Sequence, residues 1–373
     1  MRLAFVYDVV HPYVVGGVQK RNWEIARRLV RMGHEVTIFG MKYWGGGDVM
    51  YREGVRFRGV CPAQPLFVEG RRSIKGALYF AARVLPPLLK EKFDVVEVAN
   101  FPYFPCFSAW CCALVRRSPL VITWHEVWDD YWYEYLGRKG ALGRAIERLT
   151  VRLPHRAIVI SRHTGSALAK LGRKEADIVA CGVDTAAIDS AAQWPKSNGI
   201  IFAGRLAQEK NVIQLLQAVA VLKQRGQEMG CIIIGQGPEK ESLERQSREM
   251  GIDASVRFLG RVERDADVYS HMKASRILVH PSMREGFSHV VLEANACGIP
   301  VVTVNHPQNA AQDLIEDGRN GYVCGLTADS MADKIQQVLA RSDWEKGCRD
   351  FAAAYDWDRI AEDAEAAYRK ALG

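Results

Sequence analysis

The stretch that decides the fold runs from Ile277 to Asn305 and reads ILVHPSMREGFSHVVLEANACGIPVVTVN. It opens with three apolar residues, Ile277 to Val279, which predict a short buried strand. A loop rich in turn-forming residues follows, and Ser288 is a suitable N-cap for the helical pattern after it. Gly298 ends this helix, and Ile299 to Val304 predicts a second buried strand. The stretch therefore predicts a strand–loop–helix–strand unit of a parallel sheet.

The junction between the loop and the helix of this unit is a candidate ligand site. Its free backbone N–H groups and the positive end of the helix favour an anion. The junction also lies at the carboxyl end of a strand, where open α/β sheets bind ligands. Two glutamates bracket it, Glu285 in the loop and Glu293 in the second helical turn. A carboxylate beside an anion site favours a ligand that also carries hydroxyl groups, such as a ribose and a hexose.

This stretch resembles the signature of the retaining glycosyltransferases of family 4, which have the GT-B fold. The resemblance implies an α/β protein with two Rossmann-like, doubly wound parallel-sheet domains that face each other across a cleft. We expect an N-terminal acceptor-binding domain over residues 1–185, joined by a C-terminal helix at about 350–373, and a donor-binding domain over residues 186–349. The segment from Ala186 to Asn198, which contains Pro195, is expected to connect the domains, and the stretch from Trp344 to Leu372 is expected to be helical. Ser288 departs from the family, which usually has glycine there. The added hydroxyl narrows the floor of the site and leaves the identity of the donor sugar open.

The length and composition of the chain agree with two globular domains. A chain of 373 residues is long enough for two separate cores. It has no run of 18 apolar residues, and its N-terminus reads as a strand rather than a signal peptide. Nine scattered cysteines without a C-x-x-C pair favour buried free thiols over disulfides or a zinc site. We therefore expect a cytoplasmic protein, and peripheral association with the inner face of the membrane stays open.

Charge is unevenly distributed along the chain. Residues 1–194 contain 28 Lys and Arg against 18 Asp and Glu, whereas residues 195–373 contain 22 against 25. A basic first half favours an acidic substrate or an anionic membrane surface. The segment Arg71–Lys92, which Pro86 and Pro87 are expected to interrupt, and the segment Phe101–Arg117 are either interfacial or core helices with a basic flank. Nucleic acid is not an expected partner, because the sequence has no helix-turn-helix, finger or stacking-sheet signature.

Aromatic residues are concentrated between Trp124 and Tyr135, where six of twelve residues are Trp or Tyr. Such rings could stack on sugars, lie at a lipid headgroup boundary or pack the wall of a binding site. The next predicted helix carries Arg144, Arg148 and Arg152 opposite an apolar face of Leu142, Ile146, Leu149 and Leu153. This spacing predicts a basic amphipathic helix, whose basic face is either solvated or membrane-bound.

The first domain offers two candidate groups of site residues. Gly16 and Gly17 form a turn before a helix predicted from Val18 to Met32, and the resemblance places this turn near the donor diphosphate. His125 follows a predicted strand, at the edge of the sheet where ligands bind. The resemblance implies that His125 contacts the donor sugar as part of a His-Asp pair, in which Glu126 replaces the aspartate here.

The second domain begins with a predicted strand that ends at Gly204, followed by Arg205 and Lys210 before a helix from Val212 to Arg225. Two cations five positions apart at a helix entry predict a diphosphate clamp, because Arg binds bidentately and Lys adds a point charge.

The resemblance assigns the remaining roles at the donor site. It implies that Glu285 contacts the donor sugar, that Glu293 binds the ribose hydroxyls, and that the loop of Arg261 and Val262 meets the base. The backbone after Glu285 supplies N–H groups to the leaving diphosphate, at Gly286, Phe287, Ser288 and His289.

We therefore expect a retaining hexosyltransferase that uses a UDP- or GDP-linked sugar and needs neither a metal nor another cofactor. Its expected acceptor is a hydroxyl of a lipid-linked or membrane-surface glycan. Glu285 could act as a covalent nucleophile, but the family resemblance favours attack from the front face. The alternative is an inactive GT-B scaffold that binds a nucleotide or sugar. A NAD-dependent dehydrogenase is disfavoured, because Gly235 and Gly237 do not make a complete dinucleotide fingerprint.

Overall fold

The computed structural model describes residues 1–14, 16–68, 71–195 and 198–373. The chain forms two compact units, Met1–Cys181 with Trp357–Gly373, and Gly182–Asp356. The expected boundaries after residue 185 and near residue 350 are therefore corrected to Cys181 and Trp357. The chain enters the second unit at Gly182 and leaves it at Asp356. These two ends of the second unit are hydrogen-bonded to each other, because the N–H of Val183 donates to the carbonyl of Tyr355 at 2.9 Å.

The described part of the first unit is built on an eight-stranded sheet and seven helices. Its strands are β1 (Arg2–Val6), β2 (Glu35–Lys42), β3 (Val49–Arg52), β4 (Val55–Pro62), β5 (Phe67–Val68), β6 (Arg71–Arg72), β7 (Val95–Ala99), β8 (Leu120–Trp124), β9 (Arg156–Val159) and β10 (Asp177–Ile178). Its helices are α1 (Gly17–Arg31), α2 (Ile74–Lys90), α3 (Phe104–Arg116), α4 (Tyr131–Leu136), α5 (Gly140–Arg152), α6 (Arg162–Lys170) and α14 (Trp357–Leu372).

The sheet order in the first unit is β10-β9-β8-β7-β1-β2-β4-β3, while β5 and β6 form a separate antiparallel pair. All neighbours are parallel except β3, which runs antiparallel to β4. Every residue of β7 and β8 is buried, as expected for central parallel strands that are covered on both faces. The strand order reverses between β1 and β7, so the loops after these strands flank a topological switch point.

Three helices of the first unit refine the sequence-based expectations. Helix α1 begins at Gly17 and ends at Arg31, one residue earlier at each end than predicted. Helix α2 continues through Pro86 and Pro87, where an interruption was expected. Its buried face includes Phe80, Val84 and Leu88, and α3 also has a buried face. Both basic-flanked segments therefore contribute helices to the core.

The described part of the second unit is a six-stranded parallel sheet with its helices. Its strands are β11 (Asn198–Ala203), β12 (Cys231–Ile234), β13 (Val256–Gly260), β14 (Ser275–His280), β15 (Arg284–Glu285), β16 (Val301–Val304), β17 (Gln308–Asn309) and β18 (Gly321–Cys324). Its helices are α7 (Thr185–Ser190), α8 (Val212–Gln224), α9 (Lys240–Glu249), α10 (Asp265–Lys273), α11 (His289–Ala296), α12 (Ala328–Leu339) and α13 (Trp344–Ala353).

The main sheet of the second unit has the order β13-β12-β11-β14-β16-β18, so its switch point lies between β11 and β14. These two strands are paired in parallel, with Ile200 opposite Ile277 and Ile201 opposite Leu278. The loops that follow them therefore start next to each other at one edge of the sheet. The predicted signature unit is present as β14, α11 and β16.

The interdomain connection and the C-terminal region differ from the sequence-based expectation. The segment expected to connect the domains begins with α7, which packs on the second unit: Ile188 is buried, and Lys273 Nζ donates to the carbonyl of Ala191 at 2.6 Å. The expected C-terminal helical region is two helices, α13 in the second unit and α14 in the first. Helix α14 is anchored by Arg28, whose Nε donates to Asp358 Oδ1 at 2.5 Å, and by Tyr368, whose hydroxyl donates to Glu97.

All nine cysteines are free thiols, and burial raises the pKa of the Cys231 thiol to about 12. Across the described ranges, the structure has no helix that combines the length and the apolar character needed to cross a membrane.

Candidate active site

The predicted clamp lysine and the predicted catalytic glutamate meet at the switch point of the second unit. Lys210 ends a short 3-10 helix (Gln208–Lys210) in the loop after β11, and Glu285 lies in the loop region after β14. Lys210 Nζ is 2.5 Å from Glu285 Oε1, and both side chains are largely buried. Arg205, the other predicted clamp residue, is exposed and makes no ion pair within the part of the chain that the structure describes.

The position of Glu285 is fixed by a small sheet that the sequence analysis missed. Glu285 was expected in an irregular loop, but Arg284 and Glu285 form β15, which pairs in parallel with β17. The preceding turn is tied to the clamp loop, because the N–H of Met283 donates to the carbonyl of Glu209 at 2.9 Å. The backbone that carries Glu285 is therefore joined directly to the backbone that carries Lys210.

His280 is a second partner of Glu285 that the sequence analysis did not identify. It is buried at the end of β14, with Nε2 at 2.7 Å from Glu285 Oε1 and at 3.3 Å from Ser288 Oγ. The hydroxyl of Thr303 donates to the His280 carbonyl at 2.8 Å and fixes its backbone. The sequence signal that could have identified His280 is its position directly after the apolar run Ile277–Val279, at the end of a predicted buried strand.

Two opposing effects determine the ionisation of Glu285. Burial alone raises the pKa of its carboxyl group, but the charge of Lys210 and the hydrogen bond from His280 more than offset this effect. Together they lower the pKa of Glu285 from 4.5 to about 2. Glu285 is therefore a carboxylate throughout the neutral range, and it is a weak base.

Helix α11 begins where the sequence predicted, but its first turn differs in detail. Ser288 is the N-cap residue, yet its hydroxyl is directed to His280 and makes no cap hydrogen bond. Gly286 and Phe287 are buried just before the helix, and His289 is its first residue. Glu293 lies one turn further along α11, where Oε1 accepts a hydrogen bond from the Tyr269 hydroxyl at 3.4 Å.

A glycine pair supports the clamp loop from the neighbouring strand. The N–H of Leu206 donates to the Gln236 carbonyl at 2.9 Å, so the loops after β11 and β12 are in direct contact. A Cβ on Gly235 would lie 1.8 Å from the Gly204 oxygen, and one on Gly237 would lie 2.1 Å from the Leu206 oxygen. Only glycine fits at these positions. The incomplete dinucleotide fingerprint thus permits a close approach between two loop backbones.

The same contacts bring the predicted base-binding loop to this edge of the sheet. The N–H of Gly235 donates to the carbonyl of Gly260, the last residue of β13, at 2.8 Å. Arg261 and Val262 follow immediately, and the Arg261 side chain is exposed. Arg205, Arg261 and Val262 therefore all follow strands that end at the same edge as the Lys210–Glu285 pair.

The predicted site residues of the first unit lie at the carboxyl edge of its own sheet. Gly16 is the N-cap of α1, and Gly17 is the first residue of that helix. His125 directly follows β8, and its N–H donates to Asn100 Oδ1 at 3.0 Å. Asn100 Nδ2 donates in turn to the Glu126 carbonyl at 3.0 Å. Asn100, which the sequence analysis did not select, is buried at the end of β7 and positions the backbone of His125.

The aromatic segment after His125 packs around a buried carboxylate. Glu147 accepts hydrogen bonds from the Tyr103 hydroxyl at 2.7 Å, from the N–H of Trp128 at 2.8 Å and from Trp132 Nε1 at 3.2 Å. Burial raises the pKa of Glu147, although these hydrogen bonds favour its charged form. The aromatic segment was expected to stack on sugars, to lie at a lipid headgroup boundary or to pack the wall of a binding site. Trp132 is buried, so the third interpretation applies to this residue.

The buried and exposed faces of helix α5 differ from those predicted. Leu142 and Leu149 were expected on its buried face, but both are exposed. The buried residues of α5 are Gly140, Gly143, Glu147, Thr150 and Val151 instead. Gly143 packs so closely on Trp132 that a Cβ would lie 2.3 Å from the indole ring. On the basic side, Arg144 Nε donates to Asp129 Oδ1 at 2.8 Å.

Within the described ranges, no group of three or more His, Cys, Asp or Glu side chains is placed so that it could hold a metal ion.

Two family models match the chain in consecutive blocks. Residues 15–187 match glycosyltransferase family 4, and residues 185–354 match the glycosyl transferases group 1. The two matches together cover both units and nearly all of the site residues described above.

Two relatives align with nearly the whole chain. An uncharacterized glycosyltransferase of Methanocaldococcus jannaschii is 25% identical over 406 residues, which cover 100% of this chain and 99% of the relative. The phosphatidyl-myo-inositol mannosyltransferase of Mycobacterium leprae is 26% identical over 375 residues, which cover 95% of this chain and 93% of the relative.

Two solved structures share the fold of the chain. The sucrose-phosphate synthase of Thermosynechococcus elongatus superposes with a TM-score of 0.81 at 18% identity, covering 99% of this chain and 98% of that chain. The Anabaena protein HepE, solved in complex with UDP, superposes with a TM-score of 0.74 at 19% identity, covering 99% of this chain and all of that chain. The fold is GT-B, and the chain is a glycosyltransferase whose two halves match glycosyltransferase family 4 and the glycosyl transferases group 1.

Proposed function

We propose that this glycosyltransferase moves a hexose from a nucleoside diphosphate sugar, linked to UDP or GDP, to a hydroxyl group with retention of configuration. The observation that carries this proposal is the cluster of Lys210, Glu285 and His280 at the switch point of the second unit. The exposed, unengaged guanidinium of Arg205 is available beside it for a diphosphate. A GT-B donor site of this kind needs positive charge at the leaving group, and Lys210 and Arg205 supply it.

The low pKa of Glu285 bears on which group accepts the proton of the acceptor hydroxyl. An efficient general base has a pKa near the working pH, and a carboxyl group with a pKa of about 2 does not. We therefore assign Glu285 to the donor sugar, where its fixed negative charge stabilises an oxocarbenium-like transition state. The bond from C1 to the diphosphate oxygen breaks, the bond from C1 to the acceptor oxygen forms on the same face, and a leaving-phosphate oxygen accepts the acceptor's proton.

The other donor contacts follow from the positions of the remaining residues. Glu293 is proposed to bind the ribose hydroxyls, and Arg261 and Val262 to meet the base. In the first unit, His125 is proposed to contact the transferred sugar, and the turn at Gly16 and Gly17 to approach the diphosphate.

We further propose that the acceptor is lipid-linked and that transfer requires no metal ion. The full-length relative from Mycobacterium leprae is by name a mannosyltransferase for a phosphatidylinositol, a lipid acceptor. The excess of Lys and Arg in residues 1–194 would favour peripheral contact with an anionic membrane. Vesicle sedimentation tests this contact: binding that weakens with added salt is expected, and salt-insensitive or absent binding contradicts it.

The test of the reaction is transfer from a matched nucleotide sugar in the presence of EDTA, with wild type and Glu285→Gln. Wild type is expected to transfer with retention, and the variant to lose transfer while it keeps most of its donor affinity. Full activity of the variant, or loss of wild-type activity in EDTA, contradicts the corresponding part of the proposal. Trapping a covalent glycosyl adduct on Glu285 would replace front-face attack by double displacement. An inactive scaffold, the less favoured alternative, would bind the donor without any transfer.

A further inference from the structure

The first unit contains an apolar cavity of about 420 Å³ that none of the proposed donor contacts uses. It lies between the start of α2, the segment before α3, and helices α4 and α5. Its inner wall is formed by apolar and aromatic side chains, namely Ala77, Phe101, Tyr103, Trp132, Leu136 and Ile146. The volume is in the range of sites for small ligands, and the wall favours a hydrocarbon.

The wall of the cavity is fixed by hydrogen bonds behind it. Glu147 holds both Tyr103 and Trp132 from the protein side, at 2.7 Å and 3.2 Å. The rings thereby turn their apolar surface to the cavity while their polar atoms are satisfied elsewhere. A sugar or a peptide in this cavity would leave its own polar groups without partners, which is costly.

The mouth of the cavity exposes apolar side chains to solvent. Ile74 and Leu142 line it and are 54% and 67% exposed. On the same two helices, Leu78 and Leu149 are also about half exposed. Exposed apolar groups that continue into a cavity indicate an interaction site rather than ordinary surface.

Positive charge lies at the same mouth and is not neutralised there. Arg138 and Lys139 line the cavity, are exposed, and make no ion pair with any residue in the described ranges. Other cations nearby are engaged: Arg72 Nη2 donates to both oxygens of Asp8 at 2.6 and 2.7 Å, and Arg144 binds Asp129. An apolar chain with an anionic group at its end fits this combination.

Arg72, which is paired with Asp8, also connects the cavity to the edge of the sheet where the site residues of the first unit lie. Arg72 lines the cavity, and its backbone N–H donates to the Tyr135 hydroxyl at 2.8 Å. Its partner Asp8 is buried just after β1, in the loop that leads to Gly16. A group anchored at this mouth is therefore near the carboxyl edge of the sheet, where acceptor chemistry is expected.

We propose that this cavity binds a hydrocarbon chain of the acceptor lipid, with the lipid phosphate held by Arg138 and Lys139. The inference rests on the proposed transfer to a lipid-linked acceptor and names the part of the chain that recognises the lipid. Burial of the chain removes apolar surface from water, and the two cations compensate the phosphate charge.

The test is binding of decyl phosphate, measured by titration calorimetry below its micelle concentration. Inorganic phosphate and 1-decanol serve as separate probes for the head and the chain. Decyl phosphate is expected to bind at least tenfold more tightly than either. The Ala141→Trp variant fills the cavity mouth and should weaken binding at least tenfold, because Ala141 lines the mouth and is exposed. Its matched control is Ala145→Trp, an exposed position on the same helix that does not line the cavity.

A second variant tests the headgroup contact independently of the cavity. Arg138→Ala/Lys139→Ala changes only exposed side chains and should weaken decyl phosphate about tenfold while leaving 1-decanol unchanged. The control Arg152→Ala/Lys170→Ala removes two exposed cations elsewhere. Equal affinity for inorganic phosphate and decyl phosphate, or unaltered binding in both test variants, overturns the proposal.

The outcome also separates this inference from the proposed function. Transfer to a lipid-linked acceptor that proceeds normally in Ala141→Trp would retain the function and reject the cavity as the lipid site. Binding of decyl phosphate that depends on the cavity, in a protein that transfers no sugar, would retain the lipid site and reject the function.

Discussion

Lys210 Nζ lies 2.5 Å from Glu285 Oε1, although 75 positions separate the two residues in the chain. This pair resolves the electrostatic conflict that the sequence posed, a carboxylate beside a predicted diphosphate site. With Lys210 and His280 both bound to Glu285, the cluster as a whole is not acidic, and Arg205 adds a further positive charge. Diphosphate and sugar hydroxyls can then bind side by side.

The pH dependence of stability tests the pairing of Glu285. Its folded-state pKa of about 2 is below the unfolded value of 4.5, so the stabilisation is present above pH 4.5 and is lost as the pH falls towards 2. A shift of this size corresponds to about 3 kcal/mol. We expect the unfolding free energies of wild type and Glu285→Gln to differ most at pH 7 and to converge as the pH falls from 4.5 to 2, as measured by urea denaturation. A difference that does not change with pH contradicts the pairing.

His280 is expected to act as a positioning residue for Glu285. In His280→Phe the ring is kept but the hydrogen bond to the carboxylate is lost, which costs about 1.5–3 kcal/mol for a charged acceptor. We expect kcat to fall about tenfold to a hundredfold while donor affinity stays within a few-fold. Steady-state kinetics and donor titration measure the two effects separately.

The matched control for this variant is His280→Gln, which keeps a hydrogen-bond donor and should recover part of kcat. Equal loss of kcat in both variants would indicate a packing role for His280. A parallel loss of donor affinity would place His280 in direct contact with the donor.

Gly235 tests the close approach between the loops after β11 and β12. Gly235→Ala places a Cβ 1.8 Å from the Gly204 oxygen, at a residue with a φ of +147°. Since backbone atoms must move, we expect the unfolding free energy to fall by about 3 kcal/mol or more. Nucleotide affinity should fall with it, because the moved backbone leads into Arg205.

Gly230→Ala is the matched control, because a Cβ there meets no atom within 4 Å. It should change stability by less than about 1 kcal/mol and leave nucleotide binding intact. If Gly235→Ala were as mild as this control, the contact between the two loops would not constrain the clamp.

The signature unit could be predicted from the sequence because it is a local pattern, and the prediction of a clamp rests on a local pattern too. Periodicity located β14, α11 and β16, and the spacing of Arg205 and Lys210 indicated an anion site at a helix entry. Lys210 and Glu285 come into contact because β11 and β14 are neighbours in the sheet, and a local sequence pattern does not show which strands are neighbours. Strands β15 and β17 have two residues each, too short to show a period.

The errors in the helices have a similar origin. In α5 the leucines suggested the buried face, but Leu142 and Leu149 are exposed and Gly143 packs against Trp132 instead. In α2 the two prolines suggested a break, yet the helix continues through them. Asn100 was missed because it binds the backbone of His125, which lies 25 positions further along the chain. His280 was missed because its contact with Glu285 depends on how the loop between them folds, which no periodic pattern shows.

Donor binding at the clamp is the central claim, and a thermal-shift titration tests it most directly. UDP, GDP, ADP and their common sugar conjugates are added to the protein in EDTA. A ligand at a hundredfold excess over its Kd stabilises the folded state by about 2.7 kcal/mol. We predict that UDP or GDP and its sugar conjugates raise the midpoint of wild type and of Arg248→Ala, an exposed control, and that Arg205→Ala loses this shift. No shift with any nucleotide, or an equal shift in Arg205→Ala, would contradict the account.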